Sequence, residues 1–304
     1  MLVTEEEFLA YQAFAEGVAK KLGFNTNLPE IIWHYTTADG LLGVLDSGSL
    51  FATQLACLND QSELRYAVFM VRSAMQLMRL KPGEDPDRDY IFDFLDRAAM
   101  IDVLPNSELF VACFSRNGDE LSQWRAYGGG ENGYAIAFRT QALFSHHSVV
   151  APVSYDHALH LNVAGEVAAA FVDFYLRGAR RGHDRQEWTI DFTRAWDAAM
   201  GRVGAMIKHP AFTAEAEFRC IHKLEPSEHG SLEFRQKAGM LSRYLPLYFP
   251  PLGKPREKLL PIEGVIVGPC RHSAVSKASV EMLLRKHGYP SAVAEVSSAP
   301  FQMT

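Results

Sequence analysis

The sequence predicts an α+β fold, and two features of its hydrophobic pattern carry that prediction. Short blocks that are apolar or alternate with period two occur early, at Ile31–Tyr35, Leu109–Phe114 and Tyr134–Phe138. Similar blocks return late, at Tyr244–Phe249, Gly264–Val267 and Ala292–Val296. Between the two groups, from Asn162 to Lys208, apolar residues recur at helical spacing instead. Strands on both sides of an inserted helical block point to α+β architecture.

The elements follow in order. Thr4 and Glu7 have the spacing of a capping box, in which each side chain satisfies a backbone amide of the first helical turn. Phe8, Tyr11, Ala15, Val18 and Leu22 then repeat at helical spacing, so residues 1–29 read as a helical segment ahead of the domain proper. Ile31-Ile32-Trp33 is a short apolar run that ends in His34-Tyr35 and reads as a buried strand. Thr37 is placed to cap the next helix, Leu41, Leu42 and Leu45 form its stripe, and Gly48 stops it. Leu50–Ala56 is extended. Asp60 with Glu63 reads as a second capping box, opening a helix with Leu64, Val68, Val71, Met75 and Met78 on one face. A polar turn over Lys81–Asp89 and a short helix to about Met100 lead to the strand Leu109–Phe114.

That strand runs into Ser115-Arg116-Asn117-Gly118, and a short helix with Trp124 and Tyr127 stops at Gly128-Gly129-Gly130. Tyr134–Phe138 and Ser148–Tyr155 read as strands. The helical middle carries Val163, Val167, Phe171 and Phe174, then Trp188, Phe192, Trp196, Val203 and Met206. Period two returns at Glu215–Ile221, and a helix over Val275–His287 separates the last two strands. No linker-like composition divides the chain, so residues 30–304 read as one domain with a helical insertion at about 160–208.

Composition narrows the function classes. A formal net charge of -6 gives no global field toward nucleic acid or anionic lipid. The 4 cysteines are widely separated and include no CxxC pair, which speaks against a structural zinc site or a disulfide framework and fits a reducing compartment. The acidic start Glu5-Glu6-Glu7 is the wrong charge for a signal peptide, and no apolar run reaches membrane-spanning length. A cytoplasmic protein with no membrane partner is the expectation.

The segment Phe212–Ile221 is the most informative for chemistry. As a strand it would turn Glu215, Glu217 and Arg219 to one face and Ala216, Phe218 and Cys220 to the core. Two carboxylates would then stand roughly 7 Å apart, with a guanidinium to offset their repulsion. A solvent-facing strand of mixed charge has the same spacing, and spacing alone favours it. His34, at a strand end before Tyr35, Thr36 and Thr37, is placed to meet a ligand hydroxyl or carboxamide, or to be a satisfied structural residue. Trp124 and Tyr127 lie three apart on a helix beside Ser115. They can stack a flat cationic ring such as nicotinamide, or simply pack on the sheet.

Other constellations are weaker. Gly128–Gly133 lacks the Lys-Ser/Thr ending of a phosphate loop and reads as a helix stop. His157 and His160 have a metal-compatible spacing but no third ligand, so no metal is assigned. Arg177, Arg180, Arg181 and Arg185 suit the C-terminal end of a helix.

Taken in order, these motifs resemble a known family. His34-Tyr35-Thr36, Leu58-Asn59-Asp60 with Glu63, Cys113-Phe114-Ser115, Trp124 with Tyr127, Gly133 and Glu215-Ala216-Glu217-Phe218-Arg219 are similar to an uncharacterised bacterial family. It is a domain of unknown function remotely similar to ADP-ribosyltransferases. Ile266-Val267-Gly268-Pro269 and the stretch Ser297-Ser298-Ala299-Pro300-Phe301 fit it too, so the likeness runs from about Trp33 to Phe301. The resemblance implies a split β-sandwich with inserted helices and an NAD-binding cleft between two sheets. It implies that His34 holds the adenosine ribose or the nicotinamide amide, that Ser115 lies at the cleft floor, and that Tyr127 or Tyr35 stacks on nicotinamide. Thr36, Arg116, Trp124 and Arg219 complete the NAD-contacting set. Glu217 would be the catalytic carboxylate, with Glu215 upstream in an ExE pair and His34 assisting.

The implied activity is loss of nicotinamide from NAD and transfer of ADP-ribose to a protein or nucleic-acid acceptor. Glycohydrolase activity, or a catalytically inactive binding module of the same fold, are the alternatives. A nuclease or hydrolase using Asp60, Glu63, Glu215 and Glu217 with a divalent ion is a third. DNA-modifying toxin relatives carry their catalytic Glu in a similar Ala-Glu-Phe setting, and relatives suggest a role in toxicity or phage defence. This chain departs from the pattern in placing Arg219 on the strand face of Glu217 and in offering two tyrosines for one stacking role.

Overall fold

The computed structural model describes residues 2–24, 26, 28–58, 61–79, 85–97, 108–129, 133–145, 147–237, 239–249 and 259–300. Helix α1 (Glu5–Lys21) leads to strand β1 (Ile31–Thr36), helix α2 (Ala38–Ser47) and strand β2 (Leu50–Gln54). Helices α3 (Gln61–Arg79) and α4 (Pro86–Arg97) precede β3 (Leu109–Ser115), α5 (Leu121–Tyr127), β4 (Tyr134–Arg139) and β5 (Ser148–Pro152). Two long helices, α6 (His157–Ala179) and α7 (Arg185–Gly204), come next. The chain then forms β6 (Glu217–Lys223), β7 (Glu233–Lys237), β8 (Met240–Leu247), β9 (Ile262–Val267), α8 (Ser273–Lys286) and β10 (Val293–Val296). The architecture is mixed, with helices and one large sheet.

The chain divides into two compact units. Residues 1–26, 55–109 and 153–211 form one, and residues 27–54, 110–152 and 212–304 form the other. The first holds α1, α3, α4, α6 and α7. Its core is aromatic: Tyr11 of α1 meets Phe174 at 4.9 Å and Phe192 at 5.7 Å, and Phe171 meets Trp196 edge-on at 5.5 Å. Such edge and tilted pairs add to the burial of large apolar surfaces. The capping box of Thr4 and Glu7 is formed. Glu7 also pairs with Arg181, which helps fix α1 against the end of α6. The arginine run is tied down by acids of the same unit, Arg177 with Asp173 and Arg185 with Asp87.

The second unit contains the sheet. Its strand order is β10-β9-β4-β1-β3-β2-β8-β7, with β5 and β6 branching off at β3 to make ten strands. The β9–β10 pair is parallel, and β1–β4, β2–β3, β2–β8, β4–β9, β5–β6 and β7–β8 are antiparallel. One face carries the main core, including Ile32, Phe114, Ile136, Phe218, Cys220 and Leu245. Helices α2 and α8 cover it with Leu41, Val44, Val280 and Leu284. Gly48, left-handed at φ 60°, stops α2 where its composition says it should. The other face carries a smaller cluster of Tyr35, Trp124, Ala135 and Ile266, with Trp33 and Tyr127 packed against it.

Several boundaries differ from the sequence pattern. The last turn before β6 is the main case: Pro210–Glu215 is a 3-10 turn, and the strand starts only at Glu217. The apolar run at Leu50–Ala56 is a strand only to Gln54, after which Leu55–Cys57 turns in 3-10 form. The extended segment after Ser148 ends as a strand at Pro152, with Ser154 making an isolated bridge to Ile207. Asn59, Asp60, the side chain of Glu63, Gly130 and Phe301 lie outside the described residues.

Two glycines of α6 make opposite predictions about stability. A Cβ at Gly178 would overlap the indole of Trp188, which is fully buried. A Cβ at Gly165 would meet nothing within 4 Å. Gly178→Ala should therefore cost about 1–3 kcal/mol through overpacking. Gly165→Ala should stabilise by about 0.5–1 kcal/mol, because the unfolded chain loses freedom and helix propensity improves. Urea unfolding of the two variants, followed by circular dichroism, should shift the midpoint in opposite directions.

Candidate functional site

A strand has two edges, yet β3 has three neighbours. It pairs with β2 at Phe110 and Val111 and with β1 through a single residue pair, Trp33 and Ser115. β6 also pairs with it, and the Arg116 amide donates to the Ala216 carbonyl at 3.0 Å. The sheet forks here. Most of the candidate residues gather around this fork.

The connection into β6 is unusual. Ala216 has φ +43°, a left-handed conformation that a residue with a Cβ adopts at a cost of roughly 1 kcal/mol or more. Three hydrogen bonds hold it: Ala216 N–H to Thr213 O at 3.1 Å, Arg116 N–H to Ala216 O, and the Ser115 hydroxyl to Glu215 O at 2.8 Å. Ser115 is buried, and its oxygen also accepts from the Asn117 amide at 3.2 Å. This kink corrects the expected alternation. Glu215 lies half-buried in the turn before the strand, so only Glu217 and Arg219 share a strand face. The β3 end takes two consecutive carbonyls of the turn, and those bonds override the period-two pattern.

The face is not solvated either. Glu217 is 5% exposed and Arg219 is 2% exposed. Arg219 Nε donates to Glu217 Oε1 at 2.8 Å, and its Nη2 donates to Oε2 at 3.1 Å. That two-pronged arrangement fixes the carboxylate plane and keeps its charge compensated. The mixed-charge solvent-facing strand is thereby excluded. Phe218 and Cys220 point into the main core, as alternation requires.

His34 enters the fork differently. Beyond Trp33 the backbones of β1 and β3 no longer share residue pairs, and the His34 imidazole reaches across instead, Nδ1 lying 2.9 Å from the Cys113 carbonyl. A carbonyl only accepts, so Nδ1 carries the proton and Nε2 does not bear one in the neutral ring. The ring packs edge-on against Phe114 at 5.7 Å, on the main-core side of the sheet. Ser115 shares a face with Trp33, and Glu217 points away from Phe218 and the core. The register thus brings Ser115, Glu217 and Arg219 to one face and His34 to the other.

The remaining candidates organise the loop after β3. Tyr35 is buried, and its hydroxyl donates to Asn117 O at 2.8 Å while accepting from the Glu120 amide at 3.0 Å. Burial pushes its phenol up, so the hydroxyl stays protonated and serves the loop. Trp124 is buried and meets Tyr35 edge-on at 4.6 Å. Tyr127 is half-buried against the same cluster. Thr36 is half-buried at the end of β1, where it pairs with Tyr134. Arg116 is exposed, its guanidinium 5.3 Å from the centre of the Phe218 ring, a cation–π distance.

The residue that sequence reasoning missed is Asp119. Its carboxylate accepts from the Trp124 indole at 2.8 Å, from the Ser298 amide at 2.7 Å and hydroxyl at 2.8 Å, and from the Ser297 hydroxyl. One side chain joins the loop after β3, helix α5 and the segment after β10. Its partners at 297 and 298 are far away in sequence, so no local pattern announces it.

Asp119 yields a prediction with a definite sign. Burial alone would raise its pKa, but the hydrogen bonds from Ser297, Trp124 and Ser298 outweigh this and hold the carboxyl below its usual value. A depressed folded-state pKa stabilises above the unfolded value, and that stability is lost as pH falls through the folded value. Asp119→Asn should cost about 1–3 kcal/mol at neutral pH, because it turns an amide toward donors. The gap between wild type and variant should hold above about pH 5 and narrow at more acid pH, read by urea titration.

Among the described residues, no group of three or more His, Cys, Asp or Glu side chains is arranged to hold a metal ion, and no helix is long and apolar enough to cross a membrane. No curated protein and no solved structure matches the chain. Residues 123–220 match the model of a family described as a protein of unknown function (DUF2971). The matched stretch runs from the start of α5 to the middle of β6, so it includes Trp124, Tyr127, Glu215, Glu217 and Arg219.

Proposed function

We propose that this protein is an NAD-consuming enzyme of ADP-ribosyltransferase-like fold, with Glu217 as its catalytic carboxylate. The observation that carries the reading is the buried, ionically held Glu217 at the first position of β6, just after the turn that the Ser115 hydroxyl holds at Glu215. A forked sheet in which β1 and β3 part after one residue pair is in keeping with a split sandwich.

The chemistry is cleavage of the bond between nicotinamide and the ribose anomeric carbon, through an oxocarbenium-like transition state. The leaving nicotinamide takes the bonding electrons, and positive charge develops on the ribose. A fixed carboxylate beside the 2'-hydroxyl stabilises that charge without reorganising during the reaction. Arg219 suits this role for Glu217, since it holds the carboxylate in one plane. An acceptor on protein or nucleic acid, or water, then adds at the anomeric carbon and loses its proton. Glu215, half-exposed in the turn before the strand, is the group available to take that proton. In this reading His34 sets the geometry of the fork, and Arg116, Thr36, Tyr127 and Trp124 line its approaches.

One observation favours a second reading. Both oxygens of Glu217 are occupied by Arg219, the arrangement of a structural ion pair. A binding module of the same fold, which holds a nucleotide or a partner without chemistry, would need no more than this.

Nicotinamide release from NAD separates the two. The enzyme reading expects release by wild type, reduced on the order of 100-fold or more in Glu217→Gln. Binding of NAD by calorimetry with no release, with or without protein and nucleic-acid acceptors, supports the binding module. Neither binding nor release ends the enzyme reading and excludes NAD as the ligand of a binding module.

A further inference from the structure

The sheet ends on an uncovered strand. β7 is last in the strand order and pairs with β8, so its outer edge has no strand beside it among the described residues. Lys237 and Met240 close the β7–β8 hairpin with two residues between them, and such a closing pair exchanges both of its backbone hydrogen bonds. Alternation from there turns the backbone groups of Glu233 and Arg235 toward β8 and those of Phe234 and Gln236 outward. The edge therefore presents two amides and two carbonyls in one row.

The side chains divide by face. Cross-strand partners share a face, so Phe234 lies with Arg243, and Gln236 with Leu241, on the side of β8 that carries the core residues Leu245 and Leu247. Toward the edge this apolar face comes to the surface, with Phe234 56% and Leu241 72% exposed. The opposite face carries Glu233 and Arg235, which pair with Tyr244 and Ser242. Glu233 is exposed. The Arg235 guanidinium lies 5.2 Å from the centre of the Tyr244 ring, and its Nη2 donates to the Thr53 hydroxyl at 2.6 Å. Among the described residues neither Glu233 nor Arg235 forms an ion pair.

We propose that β7 is the interface of a homodimer, in which the β7 strands of two copies pair antiparallel about a twofold axis at Phe234. A twofold interface sets residue i against j and j against i. Centred on Phe234, it places Glu233 opposite Arg235 of the second copy, twice over, and Phe234 opposite itself. The outward amide and carbonyl of Phe234 then form a hydrogen-bonded pair, the two rings meet on the apolar face, and two pairs of opposite charge form on the other. Centring on Arg235 would set two guanidinium groups against each other, and like charges directly opposite destabilise a sheet. Charge on an edge strand ordinarily discourages pairing. Here the sign alternates from 233 to 235, so the edge is complementary to its own reverse. That complementarity selects a second copy of this chain over an unrelated strand.

The test is sedimentation equilibrium of the full chain across the micromolar range, with circular dichroism to check that each variant is folded. Wild type should show a concentration-dependent equilibrium of monomer and dimer. Glu233→Arg, at an exposed position, makes both charge pairs repulsive and should weaken the dimer about tenfold or more. Gln236→Pro removes an outward amide that the β7–β8 ladder does not use, so it should weaken the dimer and leave the hairpin intact. Glu233→Arg mixed with Arg235→Glu should restore a dimer containing one copy of each, because every pair is again of opposite sign. If Arg235→Glu does not fold, having lost its bond to Thr53, the other two variants still decide. The proposal is overturned by a wild type that stays monomeric throughout, or by a dimer that Glu233→Arg and Gln236→Pro leave unchanged.

Discussion

The structure of the sheet-bearing unit depends on β3 serving three partners with two edges. A strand edge offers one row of hydrogen-bonding groups, so two partners on one edge must take different stretches of it. β2 takes Phe110 and Val111, and Arg116, just after β3, bonds Ala216, just before β6. On the other edge, β1 contributes one pair and then departs. Each consequence is local and visible. Strands β6 and β5 leave the main order of the sheet, Ser115 is buried where the branches separate, and a side chain, His34, takes the Cys113 carbonyl that a neighbouring backbone would otherwise satisfy. The imidazole thus supplies a hydrogen bond across the gap that the departing strand leaves.

The buried pair of Glu217 and Arg219 is the second constraint. Two charges removed from water do not by themselves stabilise a fold, since desolvation offsets their attraction. Removing one of them is a different matter, because the survivor is left uncompensated, at a cost of roughly 3–5 kcal/mol. The pair lies on a strand that elsewhere buries Phe218, Cys220 and Ile221. Orientation of a carboxylate is the role that a two-pronged guanidinium performs well.

Much of the fold was legible in the sequence, and the parts that were not share a cause. The capping box at Thr4, the stop at Gly48 and the helical middle are local patterns, and each appears in the structure as an element or a cap. The shared strand face of Glu217 and Arg219 was legible for the same reason, since alternation is local. Its burial was not. Neither was the kink at Ala216, because the bonds that impose it come from Ser115 and Arg116, about a hundred residues away in the chain. Strand β7, Glu-Phe-Arg-Gln-Lys, has no apolar alternation to find, and pairing with β8 makes it a strand. Asp119 escaped notice because its partners Ser297 and Ser298 are equally distant in sequence. Periodicity reports what a residue does with its neighbours in the chain, and these sites are made by neighbours in space.

That distinction bears on how the candidate site should be understood. A regular strand through residues 212–221 would have set Glu215 and Glu217 side by side, two like charges competing for one guanidinium. The left-handed turn at Ala216 prevents this by ending the alternation one residue before Glu217. Glu217 then meets Arg219 on the buried face, while Glu215 is left in a half-exposed turn. Two carboxylates of similar intrinsic acidity thus occupy unlike surroundings, and their roles are able to diverge. Backbone strain at a single alanine, held by the Ser115 hydroxyl at the end of β3 and the Arg116 amide just after it, is what separates them.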